Sequence, residues 1–153
     1  MRATLLAVSV VLCLPAAARG DWQYTKWGMT PEEVARASGG AVKAEPQAQR
    51  RTIADANLRS GADGTFQDGP IRLRVQFSFD ATKGGLACVF YGVMNQADND
   101  AFKAALVKRF GPPQRTTGLQ AIGMAVLSWE PGDDSVEFQA MEGEASFAMH
   151  CKK

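Results

Sequence analysis

The sequence predicts an α+β fold: an antiparallel β-sheet with two short helices packed on its apolar face, in the order helix, strands, helix, strands. Three observations carry this. Residues 71–79 alternate apolar Ile71, Leu73, Val75, Phe77 and Phe79 with polar Arg72, Arg74, Gln76 and Ser78, the period of a strand with one buried and one wet face. Two segments, near 31–38 and 98–110, carry helix start and stop chemistry. Neither a β–α–β alternation nor a glycine-rich nucleotide fingerprint occurs, so nothing asks for a parallel sheet.

Ahead of these elements, residues 1–18 read as a signal peptide. Arg2 supplies the positive start, 5–14 are apolar apart from one serine, Pro15 breaks the run, and Ala16-Ala17-Ala18 is an A-x-A cleavage signal. The run is shorter than the ~20 apolar residues of a membrane span. Cleavage is expected after Ala18, with Gly20 as the alternative. Leu12 precedes Cys13 where a lipoprotein signal needs a small residue, so lipidation is not expected. The expected organisation is a signal peptide over 1–18 and one secreted α+β domain over 19–153. A short signal and an Ala/Gly-rich composition fit a bacterial periplasm or exterior.

In the remaining chain, 21–28 (DWQYTKWG) is an aromatic lead-in, with Trp22, Tyr24 and Trp27 as candidates for core packing or for interface anchors. Thr30 is the N-cap of the first helix, Pro31 its first residue and Glu33 the reciprocal partner in a capping box. Met29 and Val34 hold the hydrophobic-staple positions, and Gly39-Gly40 ends the helix. Residues 49–56 read as an edge strand and 57–64 as a turn. Gly69-Pro70 is a break before the strong strand at 71–80. Lys83-Gly84-Gly85 turns the chain, and 86–93 returns as its hairpin partner with Leu86, Cys88 and Phe90 on one face. The second helix, 98–110, has Phe102, Ala105, Leu106 and Phe110 as its apolar stripe. Gly111 and Pro112-Pro113 stop it. Strands at 124–129, 135–141 and 145–151 follow, separated by Pro131-Gly132-Asp133-Asp134 and Glu142-Gly143-Glu144. The last carries Ala145, Phe147, Met149 and Cys151 on one face. The order admits two copies of one unit, although the halves share little sequence.

The segment Trp27-Gly28-Met29-Thr30-Pro31-Glu32-Glu33-Val34, with the Phe110-Gly111-Pro112 helix ending, resembles small exported bacterial proteins of unknown function. It is loosely similar to the small lipoproteins of barrel assembly and to β-lactamase-inhibitor-like domains. The resemblance implies helices packed on an antiparallel sheet and a non-enzymatic envelope protein.

Composition excludes several function classes. With 46% hydrophobic and 22% charged residues the chain is not a disordered one, and a net charge of +1 leaves no electrostatic footprint for nucleic acid. Without the signal, the three cysteines become two, Cys88 and Cys151, an even count that predicts one disulfide in an oxidising compartment. The one histidine, His150, adjoins Cys151. Neighbouring strand residues point to opposite faces, so the two do not form a nucleophile–base pair, and His150 is expected at the surface. One histidine and two distant cysteines give no zinc spacing, and the acidic residues give no calcium loop. Asp133-Asp134 and Glu144 read as polar hairpin turns. No G-x-S-x-G and no phosphate loop occur.

No catalytic, cofactor-binding or metal residues are therefore predicted, and no cofactor. The expected function is a periplasmic or secreted binding module that meets an envelope or secreted protein. Its candidate interaction face is Arg72, Arg74, Trp22 and Trp27, with Arg50, Arg51 and Arg59 adding positive charge nearby. An envelope hydrolase with an unmarked carboxylate pair is the alternative.

Overall fold

The computed structural model describes residues 22–53 and 56–153. Residues 1–18, read as a signal peptide, and the expected cleavage site after Ala18 lie outside the described residues. One nine-stranded sheet forms the body. Its elements run α1 (Pro31–Ala37), β1 (Val42–Ala44), β2 (Thr52–Ile53), β3 (Leu58–Asp68), β4 (Ile71–Asp80), β5 (Leu86–Val93), α2 (Asn99–Phe110), β6 (Arg115–Leu119), β7 (Met124–Trp129), β8 (Asp134–Met141) and β9 (Phe147–Lys152). Every strand pairing is antiparallel, so the fold class is α+β.

Strand order across the sheet is β1-β3-β4-β5-β9-β8-β7-β6, with β2 pairing β3 outside this path. The order reads alike from either edge. Each half is a helix followed by an antiparallel run of strands, and the last strands of the two halves, β5 and β9, meet at the centre. The two halves thus share one plan of strand order, and Cys88 and Cys151 face each other in the β5–β9 register where the halves meet.

Local chemistry sets both helices. Thr30 Oγ1 accepts from the Glu33 N–H at 3.3 Å, and Glu33 Oε2 accepts from the Thr30 N–H at 2.8 Å, a closed capping box with Pro31 at the first position. The Thr30 N–H holds the Glu33 carboxyl below the usual carboxylate range, with the Thr30 hydroxyl adding to it. In α2, Phe102 and Leu106 are buried and Gly111 caps the end at φ 82°.

The aromatic contacts place both the lead-in and α2 on one face of the sheet. Trp22 is 1% exposed and meets the rings of Phe66, Phe77 and Tyr91 at 5.1–5.6 Å. Phe102 of α2 lies between Tyr91 and Phe138, at 5.7 and 5.8 Å. Truncating Trp22 would cost about 3–5 kcal/mol, as for large core aromatics in general. The lead-in is pinned by two backbone bonds, Gly28 N–H to Leu86 O and Leu86 N–H to Met29 O.

Four readings of the sequence change. Residues 57–64, read as a turn, mostly enter the eleven-residue strand β3. Gly61 and Gly64 belong there because other groups crowd them: a Cβ on Gly61 would meet the Phe79 ring at 2.6 Å, and one on Gly64 would collide with the Ala41 carbonyl. Of the edge strand expected over 49–56, Thr52–Ile53 is strand, after a single 3₁₀ turn at Gln47–Gln49, while 54 and 55 lie outside the described residues. Residues 115–119, assigned to no element, form the edge strand β6. Finally, a bulge between the Ser78–Cys88 and Phe79–Leu86 pairs splits the expected face of β5, sending Leu86 to the core and Cys88 and Phe90 to the other side.

Candidate functional site

The two faces of the sheet differ in cover. Ile71, Leu73, Val75, Phe77, Val89, Tyr91, Val136, Phe138 and Ala148 point to the face that carries the lead-in and α2. The opposite face is open. It presents Arg72, Arg74 and Gln76 from β4, Phe90 from β5, Phe147 and Met149 from β9, Gln139 and Met141 from β8, Met124 from β7 and Leu119 from β6, by strict alternation across the registers.

At the centre of the sheet Cys88 and Cys151 form a disulfide with sulfurs 2.08 Å apart and Cα atoms 4.1 Å apart. Their register match puts both on the open-face side, although Cys88 is only 6% exposed. The bond joins the closing strands of the two halves.

His150 points the other way. It is 2% exposed, not the surface residue its sequence position suggests. Its Nε2 bonds Asp134 Oδ2 at 2.9 Å, and Trp27 Nε1 donates to Asp134 Oδ1 at 3.0 Å. The rings of Trp27 and Phe110 stand edge-on to the imidazole at 5.4 and 5.8 Å. Asp134, read as part of a polar turn, is likewise 2% exposed, the first residue of β8 and turned inward. Burial lowers the His150 pKa, against the pull of Asp134. The neutral imidazole donates from Nε2 and leaves Nδ1, which has no partner among the described residues, as a bare lone pair. A histidine–aspartate pair has the outline of a catalytic dyad. This one is sealed under aromatic rings, and the neighbouring Cys151 is in the disulfide on the opposite side. Its geometry serves to lock the lead-in to β8 and β9.

Of the proposed interaction residues, the structure brings Arg72 and Arg74 to the open face. Trp22 is core and Trp27 is bonded to Asp134, so neither lies on that face. Arg50 borders a depression beside the 45–53 segment, but its guanidinium is engaged: it pairs with Glu32 at 2.7 Å and donates to the Glu45 carbonyl at 3.0 Å. Among the described residues no carboxylate lies within ion-pair distance of Arg72 or Arg74.

Three adjoining depressions cross the open face. The largest, about 950 Å³, lies between the 45–53 segment and β3–β5 and is lined by Glu45, Arg51, Ser60, Asp63, Gln76 and Phe90. The next, about 440 Å³, shares Gln76 and Phe90 and adds Arg74, Gly92, Met94 and Phe147. The third, about 260 Å³, shares Phe147 and adds Met124, Gln139, Met141 and Glu144. Together they make a trough running across the strands, polar at the β1–β3 end and methionine-rich at the β7–β8 end. Sequence reading found Arg72 and Arg74 through the alternation of β4. It missed the apolar part because an apolar strand face, here Phe147 and Met149, does not by itself show which side of the sheet is left uncovered.

Of the large apolar side chains that stay exposed, Leu119 (61%), Met141 (43%) and Phe147 (42%) lie toward this second end, while Met94 (49%) borders the middle depression and Ile122 (53%) sits in the turn between β6 and β7. Met141 faces Met124 and Met124 faces Leu119 in register, so the patch is contiguous over three strands. Among the described residues no group of three or more metal-ligating side chains occurs, and no helix is long and apolar enough to cross a membrane.

No protein-family model matches the chain, and no curated protein matches it. A similar solved structure is that of a DUF4309 family protein (YjgB) from Bacillus subtilis subsp. subtilis str. 168. It is 16% identical and superposes with a TM-score of 0.47 over 81% of this chain and 78% of that one. At that score the likeness carries no conclusion about what this chain does.

Proposed function

We propose that this chain is a non-enzymatic binding module, exported to the periplasm or beyond, that meets an envelope or secreted protein through the open face of its sheet. The observation that supports this most is the run Phe147, Met141, Met124 and Leu119, a contiguous apolar patch left outside a sheet whose other face buries its apolar residues. Large exposed apolar patches with polar surroundings mark interaction surfaces. Methionines suit such a surface because their unbranched side chains adapt to a partner. Export fits the signal-like residues 1–18 and the disulfide.

The test is site-specific photo-cross-linking in living cells. A photoreactive phenylalanine at Phe147 or Met141 should give one discrete adduct, lost with Met124→Asp. The same group at Lys103, on the solvent side of α2, should give none. Equal labelling from both faces, or no adduct from the open face, would overturn the reading. Fractionation with N-terminal sequencing tests export, and the expected mature start is Arg19. The competing reading, an envelope hydrolase, would draw on Glu45 and Asp63, which among the described residues line the same depression. Hydrolysis abolished by both Glu45→Gln and Asp63→Asn would replace the binding reading.

A further inference from the structure

Resting on the binding reading above, we infer that the middle depression of the trough is a specific subsite for an apolar side chain flanked by a carboxylate, presented on an exposed segment of the partner protein. The geometry is that of a missing tooth. One row across the open face runs Thr65, Arg74, Gly92, Phe147, Gln139 on five successive strands. Gly92 has no side chain, so the row opens between Arg74 and Phe147, about two strand spacings or ~10 Å apart. Phe90, two residues back on β5, walls one end and Met94, two residues on, the other. The dent holds about 440 Å³, within the roughly 300–1,000 Å³ range of small-ligand pockets.

The walls differ in chemistry in a way that selects the occupant. Phe90, Met94 and Phe147 offer apolar surface, and the Gly92 backbone makes a flat floor for an aromatic or branched side chain. Arg74 is the one charged residue of the lining. Its cross-strand neighbours are Thr65 and Gly92, and among the described residues no carboxylate lies within ion-pair distance of it or of Arg72, two positions along the same face. A guanidinium at the rim of an apolar dent is complementary to a carboxylate, which it can take with two parallel N–H donors. Gly92 is needed for a second reason. A Cβ there would stand 3.0 Å from both Phe147 Cβ and the Ser146 carbonyl, so the glycine lets β9 come close as well as leaving the dent empty.

The test uses three tetrapeptides capped at both ends, acetyl-Gly-Phe-Asp-Gly-amide and its Phe-Asn and Gly-Asp counterparts, titrated into the mature oxidised protein with backbone amide shifts as readout. The Phe-Asp peptide should shift Gly92, Phe147 and Arg74 and saturate in the millimolar range. The Phe-Asn and Gly-Asp peptides should each bind at least about fivefold more weakly, the scale of one exposed charge pair or a partly buried side chain. Arg74→Gln should erase the preference for Asp over Asn while leaving the spectrum folded, and Phe147→Ser should erase the preference for Phe over Gly. Equal affinity for Asp and Asn, an unchanged preference in Arg74→Gln, or no shift at these three residues up to ~10 mM peptide would each overturn the subsite. If cross-links still form from Phe147 and Met141 in that event, the binding reading stands and only the subsite falls.

Discussion

Asp134 and His150 meet at 2.9 Å with side chains 2% and 3% exposed, and the same carboxylate takes the Trp27 indole N–H on its other oxygen. A single carboxylate thereby ties the lead-in, the start of β8 and the end of β9 into one buried contact. The ties are directional and lie among aromatic rings, where an unmade hydrogen bond is costly.

The first consequence is a pH dependence. Burial holds the His150 pKa below the free value of 6.5, with Arg109 reinforcing the effect and Asp134 opposing it. The unfolded chain therefore takes up the proton first as pH falls. Stability is complete above about pH 6.5 and is lost on acidification as pH falls through the folded-state pKa. Urea midpoints of the oxidised protein should drop from pH 7.5 to 5. His150→Gln keeps a donor for Asp134 but cannot titrate, so its midpoints should fall less over that range. Parallel pH profiles for the two proteins would remove His150 as the cause.

Removing the acceptor tests the tie itself. Asp134→Ala withdraws the partner of two ring N–H groups and should destabilise by about 2–4 kcal/mol, since each buried donor left unmet costs about 1–3 kcal/mol. Trp27 fluorescence should change in the folded variant as the indole loses this bond. A loss under about 1 kcal/mol in chemical denaturation would mean that the lead-in is held by packing alone.

The disulfide closes a loop with a sequence separation of 63 residues. The chain-entropy model assigns such a loop about 4 kcal/mol. Cys88→Ala with Cys151→Ala should lower stability by an amount of that order. Reductant should shift the native protein's urea midpoint and leave the double variant unmoved. Equal midpoints with and without reductant would show that the bond adds nothing.

Thr30→Ala should cost about 1 kcal/mol, because it opens one arm of the capping box at a helix only seven residues long. Glu33→Gln, which retains an acceptor for the Thr30 N–H, should cost less. Comparable losses would assign the effect to packing rather than capping.

Gly64→Ala has a different target. Its Cβ would collide with the Ala41 carbonyl, at the point where β1 joins β3 in register. Amide exchange should accelerate at 42–44 while β4 and β5 stay protected. Unchanged protection in β1 would contradict the close approach.

What was legible in the sequence followed from local periodicity and capping. The five apolar residues of β4 and the Thr30–Glu33 box each carry their meaning within a few positions. β3 was not legible because Gly61 and Gly64 are strand glycines set by neighbours far along the chain, Phe79 and Ala41, and read locally as turn residues. His150 and Asp134 misled for a related reason. Polar residues at strand ends default to the surface, and only the Trp27 and Phe110 rings, distant in sequence, cover them. On β9 the alternation was right, but alternation does not say which face is covered. Phe147 and Met149 read as one apolar strand face, and that face is the open one.

The disulfide between β5 and β9 also decides how the molecule carries tension. Cys151 is bonded to Cys88, so α2, β6–β8 and β9 as far as Cys151 sit inside a covalent ring. A force pulling the ends apart passes across that bond and bypasses the second half. Of residues 22–153, the stretch from Trp22 to Cys88 can be drawn out, about 230 Å of extended chain against about 460 Å for the same residues once the bond is reduced. In an oxidising compartment the second half, with its exposed methionine patch, would keep its chain closed while the first half is pulled straight.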